Sequence, residues 1–498
     1  MQSRRRRGHL PILQGKESFA FERHNNWGVV GAQVGAQLRS AFAPARGAQF
    51  GVRIEIRTGA RHNQITMTRM AVRLNMFQRT MLHWNDLHAY NAVHLVRMSQ
   101  PLDPEKLRRI LNAEFESKGL ARVKLSSDRS SCQYLGDDEQ CEFKRLDGGP
   151  DLESALAEVI ELELNRPFAT THAFSPFRFF VVTEPDGFFL GLVYFHPLAD
   201  AESVVHLLRR SVRSYLGECE NEVFPELLLV PHDSLLRRPR LLLRKIIQLP
   251  AQISTLRRSF RAKYHDLNDG RNAFKFLSIP PMELRLLLAT ARAWGVTLND
   301  LFLALLLKCL SPLTTERMRA RKRRLLSIGC VVNTRRDLNI DGSRTFGLFL
   351  GSFVVSHEVP EGMSLIEIAK AVQRQTSQFK RTKLYLGAAL EMTVARWLLS
   401  FFSTERRKKL YQKNYPLWGG ITNMNLNFLW AQPEGKPAVD YFRAVSTGPV
   451  TPLVLSITTV GNKANIGLTY RTTVFSSAAI DSLKSDFFKL IQGLPSSP

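Results

Sequence analysis

His196-Pro197-Leu198-Ala199-Asp200-Ala201 closes the apolar run Phe188-Phe189-Leu190-Gly191-Leu192-Val193-Tyr194-Phe195. Pro185-Asp186-Gly187 ahead of the run is a turn signal between two apolar segments. Glu202 to Leu216, behind it, has the apolar periodicity of a helix closed by Gly217. The spacing predicts a hairpin strand that carries a histidine at its end, with an aspartate where the next helix starts. Loops at strand ends are where chemistry is usually placed. A near-neutral imidazole can take a proton from a hydroxyl or amine. An aspartate four residues on can pin the loop by pairing with an arginine. The same spacing admits a plainer reading, with His196 a core histidine and Asp200 an N-cap.

Other stretches fall in a set order around this one. Leu74-Asn75-Met76-Phe77-Gln78 comes first, then Asn165-Arg166-Pro167-Phe168 with Pro176-Phe177-Arg178. Gly295-Val296-Thr297-Leu298-Asn299-Asp300 follows, ahead of an apolar helix, then Val332-Asn333-Thr334-Arg335. Phe346-Gly347 with Leu348-Phe349-Leu350-Gly351, and Thr422-Asn423-Met424-Asn425, close the series. Together they resemble the condensation-domain superfamily. That group includes peptide-synthetase condensation domains, wax-ester synthases, polyketide-associated acyltransferases and, more distantly, chloramphenicol acetyltransferase. The stretch from Phe195 to Ala201 resembles its HHxxxDG motif. The second His and the Asp are matched, Phe195 replaces the first His, Ala201 replaces the Gly, and Ser203 matches a downstream Ser. The resemblance spans about Met70 to Leu494.

The resemblance implies an α+β fold of two chloramphenicol acetyltransferase-like subdomains in a V, with a tunnel between them and the motif histidine midway. It implies acyl transfer from a thioester, on acyl-CoA or on the phosphopantetheine of an acyl carrier protein, to a hydroxyl or amine acceptor. His196 is then the general base, and Asp200 pairs with an arginine, for which Arg335 is the candidate. Ala201, Ser203, Asn333 and Asn423 are expected along the tunnel, and no metal is expected. At position 201 the family's Gly lets the backbone approach substrate, and Ala disfavours positive φ. A catalytically inactive scaffold, or an acyl- or lipid-binding protein at a membrane surface, is the alternative.

Composition sets the outer bounds. The chain has 498 residues, 44% hydrophobic and 23% charged, which are ordinary values for a globular protein with more than one sizeable core. Its formal net charge is +25, which suits anionic membranes, acidic ligands or nucleic acid. The cations cluster at Arg4–Arg7, Arg237–Lys263, Arg319–Arg324 and Arg406–Lys409. The second and fourth clusters adjoin bulky apolar residues, Leu241-Leu242-Leu243 with Ile246-Ile247 and Trp397 to Phe402, as interfacial helices do. An anionic membrane surface is therefore an expected partner, and the acceptor is expected to be lipid-like. Nucleic acid ranks last, because no zinc-finger spacing, RNA-recognition signature or aromatics on a basic sheet accompany the charge. Five cysteines, an odd number without CxxC spacing, argue against a disulfide framework or zinc site and for a reducing, cytoplasmic setting. No apolar stretch is long enough to cross a bilayer.

The organisation reads as four parts. Residues 1–66, rich in Arg, Gly, Ala and Gln, are expected to be a disordered extension, or to precede a start at Met67 or Met70. Residues 67–221 form the first subdomain and carry the motif. Residues 222–270 form a basic, proline-punctuated connector. Residues 271–498 form the second subdomain, with a helix over Pro281–Ala293, a buried helix capped by Thr297 and Asp300, and strands over Leu326–Asn333 and Leu453–Val460.

Overall fold

The computed structural model describes residues 70–135, 141–218, 239–388, 401–430 and 440–495. The expected extension over 1–66, the first part of the connector (222–238), and residues 397–400 of the fourth basic segment lie outside the described residues.

The first half runs β1 (Met70–Arg73), α1 (Met76–Asn85), β2 (Asn91–Met98), α2 (Pro104–Ser117), β3 (Val123–Leu125), β4 (Ser131–Tyr134), β5 (Glu142–Asp147), α3 (Leu152–Asn165), β6 (Phe177–Glu184), β7 (Gly187–Phe195) and α4 (Ala201–Tyr215). The second half runs α5 (Pro239–Arg258), β8 (Asn272–Ile279), α6 (Pro281–Ala293), α7 (Leu298–Leu310), β9 (Leu326–Asn333), β10 (Leu350–His357), α8 (Leu365–Thr382), α9 (Thr404–Asn414), β11 (Gly419–Asn425), β12 (Tyr441–Val445), β13 (Leu453–Val460), β14 (Lys463–Arg471) and α10 (Ser477–Gln492). Local chemistry explains the boundaries. Asn75 and Gln78 form a reciprocal capping box on α1, and Thr297 and Asp300 form another on α7. The α7 run is apolar on every side because nearly every residue of it is buried, and its interrupting Lys308 reaches the Met363 carbonyl. No single helix among the described residues is long and apolar enough to cross a membrane.

Two large sheets dominate. The second half builds a six-stranded sheet in the order β10-β9-β11-β13-β14-β8, with α7 and α8 in its core. The first half builds a five-stranded sheet in the order β12-β2-β7-β6-β5. All nine residues of the central strand β7 are buried, so it reads as a continuous apolar run rather than an alternating one. β1, β4 and β3 make a small third sheet.

The edge strand β12 comes from the second half of the chain. It lies antiparallel to β2, with Arg443 opposite His94 and Tyr441 opposite Val96. The chain therefore crosses back into the first sheet long after leaving it. Phe442 joins the first core by this route, and Phe274 and Phe276 of β8 pack against it from the second sheet. The cut near residue 271 that local patterning suggests is bridged by β-pairing and by packing.

Candidate active site

His196 and Asp200 stand where β7 ends and α4 begins. Asp200 is the N-cap of α4, and one carboxylate oxygen accepts from Ser203 N at 3.0 Å. The other oxygen accepts from Arg335 Nη1 at 2.5 Å and from Phe349 N at 2.8 Å. Asp200 is thus both a cap and half of an ion pair, and the pair joins the two halves. Burial alone would push its carboxyl up. The Arg335 charge and the hydrogen bonds from Arg335, Ser203 and Phe349 hold it below the ordinary carboxylate range instead. Both partners are almost fully buried, Asp200 at 1% and Arg335 at 2% exposed. Such a pair is built by geometry, because its attraction must offset the desolvation of both charges.

The second half answers with a fitted loop. Gly347 holds φ at +149°, a conformation that favours glycine. Its carbonyl accepts from Asp200 N at 3.0 Å and from Ser203 Oγ at 2.9 Å. Ser203 Oγ in turn accepts from Arg335 Nη2 at 2.7 Å and from Gly347 N at 3.1 Å. Asn75 Nδ2 donates to the Leu348 carbonyl at 2.9 Å, so α1 grips the same loop. The Arg335 guanidinium lies over the Phe349 ring, 4.5 Å from its centre.

The imidazole is fixed separately. His196 Nδ1 lies 2.9 Å from the Ala199 carbonyl, which assigns the proton to Nδ1 and leaves Nε2 as the basic nitrogen. No described residue hydrogen-bonds Nε2. Tyr90 stacks on the ring at 5.5 Å and 14°, and Tyr194 meets it edge-on at 5.5 Å. Burial lowers the His196 pKa below its ordinary value, against the pull of the Ala199 carbonyl and Asp200, so the ring is neutral at pH 7. It is 8% exposed.

Strand parity shows which way the ring faces. Tyr194 and His196 share one face of the sheet, and Phe195 takes the other. Phe195 packs on Phe168 and Phe174 at 5.7 and 5.5 Å, an aromatic environment in which the motif's first His would find no polar partner. The face of Tyr194 also carries His94, Tyr441 and Arg443. His94 Nδ1 meets Tyr441 Oη at 2.6 Å, and the His94 ring lies edge-on to Tyr194. Arg443 extends from this face to the other sheet, donating to Ile457 O at 2.5 Å, Thr458 Oγ1 at 2.8 Å and Thr422 O at 3.3 Å. His196 therefore lies on the face turned towards the second half.

The remaining residues read from sequence are placed as follows. Ser203 is 3% exposed and spent on the Arg335–Gly347 contacts. Asn333 donates to the Glu202 carboxylate and accepts from Arg335 N at 2.9 Å, so it braces the pair. Ala201 opens α4 and is absent from the residues with positive φ, so the alanine is unstrained there. Asn423 is exposed on β11 and makes no side-chain hydrogen bond with a described residue. Tyr90, His94, Tyr441 and Arg443 escape the sequence reading. A charged residue inside the apolar strand Tyr441–Val445 was the one available signal. No cluster of metal-ligating side chains occurs among the described residues.

Clefts open on the surface among the described residues. One, of about 540 Å³, lies at the seam between α3 and the segment before β8 and is walled by His88, Ala89, Glu158, Asn165 and Arg271. Another, of about 560 Å³, is lined by Arg257, Arg258, Arg321, Lys322 and Arg324. His196 lines neither, although Tyr90, which covers its ring, follows directly after Ala89.

Burial lowers five imidazoles among the described residues. His88 falls to about 3 and His206 to about 4, and His94, His196 and His357 are also lowered. Each folded pKa lies below its unfolded value near 6.5, so the unfolded chain binds more protons below that pH. Burial raises Glu114, to about 7, and Glu202, which act in the opposite sense. The depressed carboxylates, Asp200 among them, act with the imidazoles, so stability is expected to decline as pH falls below about 6.5. Thermal unfolding followed from pH 7 to pH 4 should show a steadily falling Tm; a flat or rising profile would contradict this assignment.

No protein-family profile and no curated protein matches the sequence. Solved structures do match. The first condensation domain of the CDA synthetase is 14% identical, with a TM-score of 0.60, over 86% of this chain and 97% of that one. The epimerization domain from the third module of tyrocidine synthetase B is 15% identical, with a TM-score of 0.58, over 86% and 96%. The X-domain from teicoplanin biosynthesis is 16% identical, with a TM-score of 0.54, over 85% and 95%. The crossing strand, the two large mixed sheets and the loop at the end of β7 are thus parts of one architecture, and the chain has the condensation-domain fold, built of two chloramphenicol acetyltransferase-like halves.

Proposed function

We propose that this protein is an acyltransferase that moves an acyl group from a thioester, on coenzyme A or an acyl carrier protein, to a hydroxyl or amine. The observation that supports this most is the state of His196. It is neutral, its Nδ1 is committed to the Ala199 carbonyl, and its Nε2 is left as a base on the face turned to the other half. In the reaction, Nε2 takes the proton of the attacking hydroxyl or amine as that atom bonds to the thioester carbon. The proton then passes to the departing thiolate, so thiol and acylated acceptor leave together. Asp200 and Arg335 do not touch substrate; they hold the loop that aims the ring. The test is release of free thiol from a panel of acyl-CoAs, with and without His196. The low exposure of the ring favours a second reading, an acyl-binding protein without turnover, and the same assay separates the two.

The acceptor is proposed to be lipid-like and drawn from an anionic membrane. On α5, Leu243, Ile246, Ile247 and Ile253 are 46–68% exposed, beside the exposed Arg257 and Arg258 of the basic cleft. An apolar ridge flanked by cations matches an anionic bilayer, where each nearby Lys or Arg contributes roughly 1 kcal/mol. Flotation at low salt should carry the protein up with phosphatidylglycerol vesicles and not with phosphatidylcholine alone. Equal behaviour with both would remove the membrane from the proposal.

A further inference from the structure

Arg443 is a buried guanidinium on the sheet face that carries His196. It sits in an otherwise apolar strand, is 4% exposed, and pairs with no carboxylate among the described residues. Its Nε and Nη2 donate to Thr458 Oγ1, Ile457 O, and Thr422 O, which are all neutral acceptors. Its Nη1 makes no hydrogen bond with a described residue. An uncompensated buried cation is expensive to keep. Burial draws its pKa down to about 10, so the guanidinium remains charged at neutral pH.

Its position ties it to the site. Cross-strand register sets Arg443 directly opposite His94, on the face that carries Tyr194, Tyr441 and His196. The guanidinium is within electrostatic reach of all four, lowering the pKa of both imidazoles. None of these groups is anionic at neutral pH: burial raises both tyrosines and lowers both histidines. The charge thus faces a neutral, aromatic surround shared with the proposed base.

We propose that Arg443 is an anion handle of the acyl-transfer site, and that the substrate carries a carboxylate which Nη1 receives. This deepens the acyltransferase reading and rests on it. It names the substrate class: one of the reactants, acyl group or acceptor, is a carboxylic acid at the end remote from the reacting carbonyl. A guanidinium offers a carboxylate charge-assisted hydrogen bonds that a neutral isostere cannot accept as well.

The experiment compares octanoate with octanamide as stabilisers of the full chain in thermal unfolding. Octanoate is expected to raise the Tm of the wild type at about tenfold lower concentration, the size of one charge-assisted hydrogen bond. Arg443→Gln should abolish that preference and Arg443→Lys should keep part of it. A second arm measures thiol release from glutaryl-CoA and pentanoyl-CoA. A preference for glutaryl-CoA that Arg443→Gln removes places the carboxylate on the acyl group, and equal rates place it on the acceptor. Equal response of the wild type to octanoate and octanamide would overturn the handle, as would a preference that survives in Arg443→Gln. The wild-type comparison decides even if a variant does not fold. Because the first arm reads binding alone, a carboxylate preference without any thiol release would fault the transferase reading and not the handle.

Discussion

Asp200→Ala is expected to lower folding stability by about 3–5 kcal/mol, because it strands the Arg335 guanidinium as an unpaired charge in the interior. The variant also removes the acceptor for Phe349 N and the N-cap of α4, a cap being worth about 1 kcal/mol alone. Arg335→Met should fall in the same range, since it leaves the carboxylate buried with only amide donors. The double variant Asp200→Ala with Arg335→Met is the sharper test. If the penalty of each single change is mainly an orphaned charge, the double should be more stable than their sum by about 1–3 kcal/mol. Chemical denaturation of all four proteins measures this. Strict additivity would mean that the two residues act independently, and the loop would then owe its shape to the Gly347 contacts alone.

His196→Ala is expected to keep the fold and lose the chemistry. The ring lies between Tyr90 and Tyr194, and its removal leaves a void that should lower stability by about 1–3 kcal/mol without loss of cooperative unfolding. Thiol release should drop by roughly 10²- to 10⁴-fold, the usual contribution of a positioned base. His196→Gln, which restores a hydrogen-bonding group of similar reach but no basic nitrogen, should recover stability and not rate. The readout is initial thiol release at saturating acyl-CoA with unfolding curves run in parallel. A folded His196→Ala protein with wild-type rates would end the assignment of this residue as base.

Much of the frame was legible because the determinants are local. The helix over Pro281–Ala293 and the strands over Leu326–Asn333 and Leu453–Val460 have the bounds that periodicity and turn residues suggest. Thr297 with Asp300 announces the start of α7 through hydrogen bonds three residues apart. His196 and Asp200 could be singled out because they sit at the end of such an element, and Arg335 through the resemblance of Val332-Asn333-Thr334-Arg335 to a condensation-domain segment. What lay beyond reach depends on pairing at long range. Arg443 meets His94 across a ladder whose strands are about 350 residues apart, and no window of sequence contains both. The same holds for Ser203, whose hydroxyl is engaged by a loop from the other half. The resemblance set it along the tunnel; its partners are fixed only when the halves close. The cap at Ser364 and Glu367 that begins α8 is a local signal of the same kind.

The return of β12 to the edge of β2 has a consequence for how the protein is made. Until synthesis has passed Val445, the strand Asn91–Met98 has nothing along one side, and its backbone is an open template that any other extended chain can occupy. The nascent first half is therefore exposed to aggregation for most of translation, and the last step of its assembly waits on a segment that emerges some hundreds of residues later.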